Sequence, residues 1–199
     1  MNGPAHLGTV PLAQAMRLAI PFAVTAGLLG SLYLGYNWVR FGSPTEFGYE
    51  LIPGLLDEAQ YQNGFFHYTN IARNLQALFL STPRLVEQPP FFQPAILGGL
   101  SLLLTTPIYL WAAQARAPTW FTLGCWGATV LVAIPVLLHA DPGGAQFGYR
   151  YAQDFYPFLL LLTAHGIARG MSFAAWWAVM LGFIVNVWGM WATATNWFA

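Results

Sequence analysis

Charge is what this chain has least of. Only 7% of its 199 residues are Asp, Glu, Lys or Arg, where a water-soluble domain carries about a quarter. Lysine is absent; the seven basic residues are all arginine, and seven acids balance them to a formal net charge of zero. No basic surface can be built from that balance, so a nucleic-acid partner is excluded as a function class. Cysteine is scarcer still. The single Cys125 lies inside an apolar run, which excludes an intrachain disulfide and leaves a small buried hydrophobe as its expected role. Histidine offers no cluster either: His139 and His165 fall at opposite ends of apolar segments, and His6 and His67 have no partner at ligand spacing. Neither a metal site formed by this chain nor a cofactor is expected.

What the chain has instead is apolar mass. Hydrophobic residues make up 57%, with nine Trp and fifteen Phe, more apolar surface than a water-soluble fold of this size can hide. The apolar residues come in runs near the 20 that cross a bilayer. Five spans are expected, at about 18–38, 94–114, 119–139, 155–168 and 173–195. The fourth is short for a crossing. Pro21, Pro107, Pro135 and Pro157 lie in or beside these runs and are expected to kink helices, because neighbouring groups satisfy the carbonyls that proline frees. The fold class is therefore an all-α, polytopic membrane protein, a single transmembrane domain over 1–199. The first run is longer than a secretory h-region and follows a mixed stretch, so it reads as an anchor that stays.

The arginines orient the spans. Arg17, Arg116 and Arg169 stand without nearby acids beside apolar runs, whereas Glu46, Glu50, Asp57, Glu58, Glu87, Asp141 and Asp154 fall in the alternate connections with Arg40, Arg73, Arg84 and Arg150. The positive-inside rule puts the first three in the cytoplasm, the N-terminus with them and the C-terminus outside. Any chemistry then belongs to the outer connections, 40–93 and 140–154.

Within the long outer connection the apolar residues Ile71, Leu75, Leu78 and Phe79 recur at i, i+4, i+7 and i+8, with Thr69 or Asn70 as a cap and Pro83 after the stop. The pattern predicts an amphipathic helix over 69–80, either lying in the interface with Arg73 and Gln76 toward headgroups or packed on the spans as a lid. The stretch 41–62, rich in Gly, Pro and acids, predicts loop. Phe47-Gly48-Tyr49 and Phe147-Gly148-Tyr149 repeat one aromatic motif near charges at the outer boundary, where an aromatic belt is the plain explanation. Arg150 adds to it. A guanidinium between Tyr149 and Tyr151, with Asp154 one turn on, can hold a phosphate bidentately while the acid orients it; a local Arg150–Asp154 ion pair is the alternative. Asn186, at membrane depth in the last run, is expected to make an interhelical hydrogen bond.

The string Arg40-Phe41-Gly42-Ser43-Pro44-x-Glu46-Phe47-Gly48-Tyr49, the Arg73-Asn74-Leu75 helix ending in Ser81-Thr82-Pro83, and Gln146-Phe147-Gly148-Tyr149-Arg150-Tyr151-x-x-Asp154-Phe155-x-Pro157 resemble the C-terminal half of bacterial GT-C fold glycosyltransferases. These are the polytopic enzymes related to protein O-mannosyltransferases and polyprenyl-phosphate-sugar transferases. The resemblance implies an inverting transfer of a sugar from a polyprenyl-phosphate donor to an acceptor on the outer face of a bacterial plasma membrane. It implies lipid-phosphate binding by Arg150 with Tyr149, Tyr151 and Asp154, and more weakly by Arg40 and Arg73. It also implies a catalytic carboxylate in a first outer loop of an N-terminal half. This chain has no such loop, and its adjacent acids Asp57 and Glu58 follow the pattern of the later half, so the resemblance implies a C-terminal part whose partner is the remaining half of the enzyme. Two other classes stay in view: a non-enzymatic scaffold or assembly subunit, and, last, a transporter, which would need inward-facing charges or repeated broken helices within the spans.

Overall fold

The computed structural model describes residues 12–87, 91–95, 98–116, 119–144 and 146–194. His6, the first eleven residues and the end of the fifth expected span lie outside them. The chain divides into two compact units, up to Gln62 and from Asn63 onward, and the architecture is mostly helical.

The first unit is one long helix and a loop. α1 (Leu12–Phe41) runs through Pro21 without breaking, and among its described side chains only Asn37 is buried, donating to the Pro44 carbonyl at 3.3 Å. The loop beyond it holds only two short 3-10 turns, Leu55–Asp57 and Ala59–Tyr61, as its Gly, Pro and acid content predicts.

The second unit is a helical bundle. A 3-10 turn, Tyr68–Asn70, leads into α2 (Ile71–Leu80), which ends before Pro83. The cap differs from expectation: the His67 ring accepts from the Thr69 N–H, and Asn70, although in the cap position, uses its side chain elsewhere. Two two-residue strands, β1 (Arg84–Leu85) and β2 (Phe92–Gln93), pair antiparallel, a small departure from an all-α chain. Then come α3 (Leu102–Thr105), a 3-10 segment Pro107–Gln114, α4 (Thr119–Leu138), a 3-10 turn Arg150–Asp154, α5 (Tyr156–Ile167) and α6 (Phe173–Ala194).

Among the described residues three helices are long and apolar enough to cross a membrane, over Ala19–Phe41, Trp120–Leu138 and Phe173–Ala192, where the sequence predicts five spans. The second expected span is broken. Pro107 has no N–H to continue α3, and the chain tightens into 3-10 geometry in which the Tyr109 N–H bonds the Thr106 carbonyl instead of that of Thr105. The freed Thr105 carbonyl is taken by Asn186 of α6, whose Nδ2 donates to it at 2.8 Å and to Gly182 O at 2.7 Å, the interhelical bond expected of that residue. The fourth expected span is a helix of 12 residues, held between Pro157 in its first turn and Arg169-Gly170.

Close backbone approaches fix this broken segment. A Cβ on Gly166 of α5 would overlap the Trp111 carbonyl oxygen, so glycine there lets the 107–114 segment lie directly on α5. At the other end Gly99 has φ +65, and a Cβ would sit 2.6 Å from the Gln146 carbonyl oxygen. That contact permits the Leu100 N–H to bond Phe147 O at 2.7 Å and the Tyr149 N–H to bond Leu100 O at 3.0 Å. Phe121 near the start of α4 meets His165 near the end of α5 edge-on, so the two helices run antiparallel. Arg116 and Arg169, in the connections before α4 and after α5, therefore share one end of the unit, and the 139–155 connection forms the other. Replacing Gly99 by Ala is expected to cost about 3 kcal/mol, from the left-handed backbone plus the overlap; a thermal melt in detergent within experimental error of the parent would contradict the stitching role given to it.

Candidate functional site

The end of the second unit opposite Arg116 and Arg169 gathers most of its polar side chains. α4 arrives there with its last carbonyls unpaired, as every helix does. Asn74 of α2 donates through Nδ2 to Leu137 O at 2.9 Å and to His139 O at 2.8 Å. Asn70 donates to Leu138 O at 3.0 Å, and Arg73 donates to the Ala140 carbonyl and to Asn70 Oδ1. Backbone bonds from His67 N–H to Leu138 O and from Ala140 N–H to Phe65 O complete the seam. A guanidinium at the negative end of α4 is also favoured by the helix dipole.

Of the six residues singled out for binding, five lie in the second unit, where the Tyr149 and Tyr151 rings meet edge-on at 6.1 Å, and Arg40 lies in the first. Arg73, expected to face headgroups, is half-buried and used in this capping. Tyr149 is 1% exposed and belongs to the hydrophobic core; its hydroxyl is buried without a hydrogen-bond partner. Burial raises its phenol well above the ordinary range, and Tyr151 and Asp141 add to the rise while the Arg73 guanidinium works the other way. Arg150 and Asp154 are exposed at the two ends of one 3-10 turn. The Arg150 guanidinium lies over the Tyr151 ring, 5.4 Å from its centroid. Arg40 belongs to the first unit, where it stacks over Phe41 at 4.9 Å and donates to the Tyr36 hydroxyl at 3.2 Å.

Two residues that composition and spacing left in the background prove central. His139 stacks against Tyr151 at 5.4 Å and Phe66 at 5.5 Å, and its Nδ1 lies 2.8 Å from the Asp141 carbonyl oxygen. It thereby carries an aromatic row, Phe66–His139–Tyr151, beneath Arg150. Asn74 is fully buried in the α4 cap; the signal for it was the Asn70/Asn74 pair at i, i+4, which puts two amides on one face of the helix.

The acids are tied or solvated. Asp141 Oδ1 accepts the Gly143 N–H at 2.9 Å in a local turn, and Asp57, Glu58 and Asp154 are exposed. Among the described residues no three His, Cys, Asp or Glu side chains converge as a metal site would need. Chemically, this end offers an exposed guanidinium on an aromatic support, with the His139 imidazole and the buried Tyr149 hydroxyl below it.

No family model, curated protein or solved structure matches the chain.

Two outcomes test this division of roles. Arg73→Met should lower stability by about 2 kcal/mol, because it strips a charge-assisted bond from a buried carbonyl, while Arg150→Met should leave it nearly unchanged; equal melting temperatures for the two variants would contradict it. The buried Tyr149 phenol has a folded pKa above its unfolded value, so its contribution to stability is whole below about pH 10 and declines as pH rises beyond it. Tyr149→Phe should therefore flatten the alkaline loss of stability, read as melting temperature against pH from 8 to 12.

Proposed function

We propose that this chain is a membrane glycosyltransferase, or its C-terminal part, that uses a polyprenyl-phosphate-linked sugar on the extracytoplasmic face, with Arg150 holding the lipid phosphate. The observation that carries this reading is the Arg150–Tyr151 stack. The Arg150 guanidinium carbon lies 5.4 Å from the Tyr151 ring centroid on an exposed side chain, an aromatic support that favours bidentate capture of a phosphate by its N–H donors. Arg116 and Arg169 sit at the opposite end, which the positive-inside rule assigns to the cytoplasm, so the Arg150 end faces outward and the C-terminus of α6 with it. In this reading the broken α3 to 107–114 path and the short α5 are the second and fourth crossings, the irregular backbone lying directly on α5, where such backbone is tolerated at membrane depth. Asp154, at the end of the same 3-10 turn, orients the guanidinium when the phosphate arrives. Arg40 and Arg73 hold no donor in this scheme, and the catalytic carboxylate comes from outside the chain.

The solvated and locally tied acids favour one second reading, a non-enzymatic assembly subunit whose outer end docks a partner. The two separate on one experiment. Native mass spectrometry of the purified protein titrated with undecaprenyl phosphate should show saturable binding that Arg150→Ala weakens about thirtyfold, the loss of a charge-assisted bidentate contact, whereas Arg40→Ala changes it little. Undiminished binding by Arg150→Ala would overturn the assignment, and absence of binding by the parent protein would favour the assembly subunit.

A further inference from the structure

The roof of the bundle covers a cavity of about 270 Å³ that the capping seam and the Arg150 end do not use. Its floor is buried and apolar, formed by Leu102, Phe155 and Leu159, with buried Leu78 of α2 above them, and its mouth is marked by the exposed side chains of Leu75, Phe79, Leu110 and Trp126. Of the two expectations for the apolar stripe of α2, an interfacial face or a lid on the spans, the structure has the lid: Leu75, Leu78 and Phe79 line this space. Of the polar residues in the wall, Thr129 bonds the Cys125 carbonyl through Oγ1 at 2.8 Å. The buried unpaired polar atoms of the described residues, on Arg73, Asn74, Gln146, Tyr149 and Thr163, all belong to residues outside the lining.

Such a space repels water. Apolar cavities of about 150 Å³ stay dry and take apolar ligands, because water needs two or more polar partners that these walls do not give. The lining follows α4 from Trp126 to Leu137, about 16 Å at the helical rise, which is half the roughly 30 Å hydrocarbon thickness of a bilayer and so the depth of one leaflet. That stretch lies within the candidate membrane span Trp120–Leu138, so the mouth opens where hydrocarbon chains are the surrounding solvent. No charged side chain lines the mouth, so nothing there selects a phosphate headgroup.

We infer that this cavity is a lipid site that takes one acyl chain of an ordinary bilayer phospholipid, held beneath α2 as a roof. The inference is independent of the glycosyltransferase reading: its ligand is the bulk lipid, its residues are apolar, and Arg150 has no part in it. The chain inserts along α4 past Ala133, contacts Phe155 and Leu159 at the floor, and fills the space between α2 and α5 that the protein's own side chains leave open.

The test uses the full chain in nanodiscs of phosphatidylcholine carrying a diazirine halfway along one acyl chain. After illumination, peptide mapping should find adducts on the buried floor residues Phe155 and Leu159 as well as on the lipid-facing Leu160, which serves as the surface control. Ala133→Phe, which fills the cavity, should reduce floor labelling about tenfold, the affinity equivalent of some two lost methylene contacts, and leave Leu160 labelling unchanged. Thr129→Val, smaller in its perturbation, is the second variant and should keep floor labelling at the parent level if apolar character alone governs the site. Labelling confined to Leu160 in the parent protein would overturn the proposal. So would selective loss of floor labelling when a small mole fraction of undecaprenyl phosphate is added, since the occupant would then be a prenyl chain.

Discussion

The carbonyls that end α4 govern the architecture of the second unit. Those of Leu137, Leu138, His139 and Ala140 have no later turn of helix to bond, and they lie against packed protein where water cannot reach all of them. Leaving one unsatisfied in an apolar setting costs several kcal/mol. α2 answers with Asn70, Arg73 and Asn74, three donor side chains on one face, delivered from more than sixty residues upstream. The position of α2 follows from that seam. Once Asn74 is fixed on α4, the opposite stripe of α2, with Leu75, Leu78 and Phe79, is committed to roofing the bundle. The amphipathic pattern therefore serves two surfaces at once, a polar one that caps a neighbour and an apolar one that covers a cavity.

The same rule, that backbone polar groups in an apolar environment must find partners, explains the broken second span. Hydropathy over 94–114 is high enough to predict a crossing helix, but hydropathy sums side chains and is blind to the missing N–H of Pro107. Where the helix fails, Asn186 repairs one exposed carbonyl, and the tight 3-10 path repairs others. Gly166 then lets the irregular segment lie against α5 at backbone distance. Each device is cheap in sequence, one residue apiece, and each depends on a partner far along the chain.

That dependence separates what could be read from the sequence from what could not. The three long helices were legible because an uninterrupted apolar run of twenty residues has few other fates in water or lipid. α2 was legible because its periodicity is local and Pro83 stops it. The surroundings of Arg73 and Tyr149, the α4 carbonyls and the buried core, were not legible because they come from long-range contacts. The two Phe-Gly-Tyr strings make the point sharply. Phe47 and Tyr49 are exposed, with Gly48 at φ +89, whereas Phe147 packs on Trp188 at 5.7 Å and Tyr149 is buried; identical triplets serve as surface loop and as core.

The three arginines named as candidate phosphate ligands differ in what they have left to offer. A guanidinium carries five N–H donors in one plane. Arg73 commits donors to Ala140 O and Asn70 and lies half-buried, so drawing it to a ligand would uncap α4. Arg40 rests on Phe41 and on Tyr36 of its own helix, a local arrangement that needs no ligand. Arg150 is exposed, with its guanidinium over the Tyr151 ring and making no hydrogen bond to another of the described residues. A phosphate bound there would be held without dismantling any part of the fold. A glycosyl transfer also needs a base placed against the acceptor, and the nearby acids are poorly suited: Asp141 is spent on the turn that sets Gly143 against Gly98, and Asp154 is solvated with its side chain at the surface. For the proposed glycosyl transfer this chain therefore offers a group to hold the phosphate, and neither of these two acids is placed as its proton acceptor.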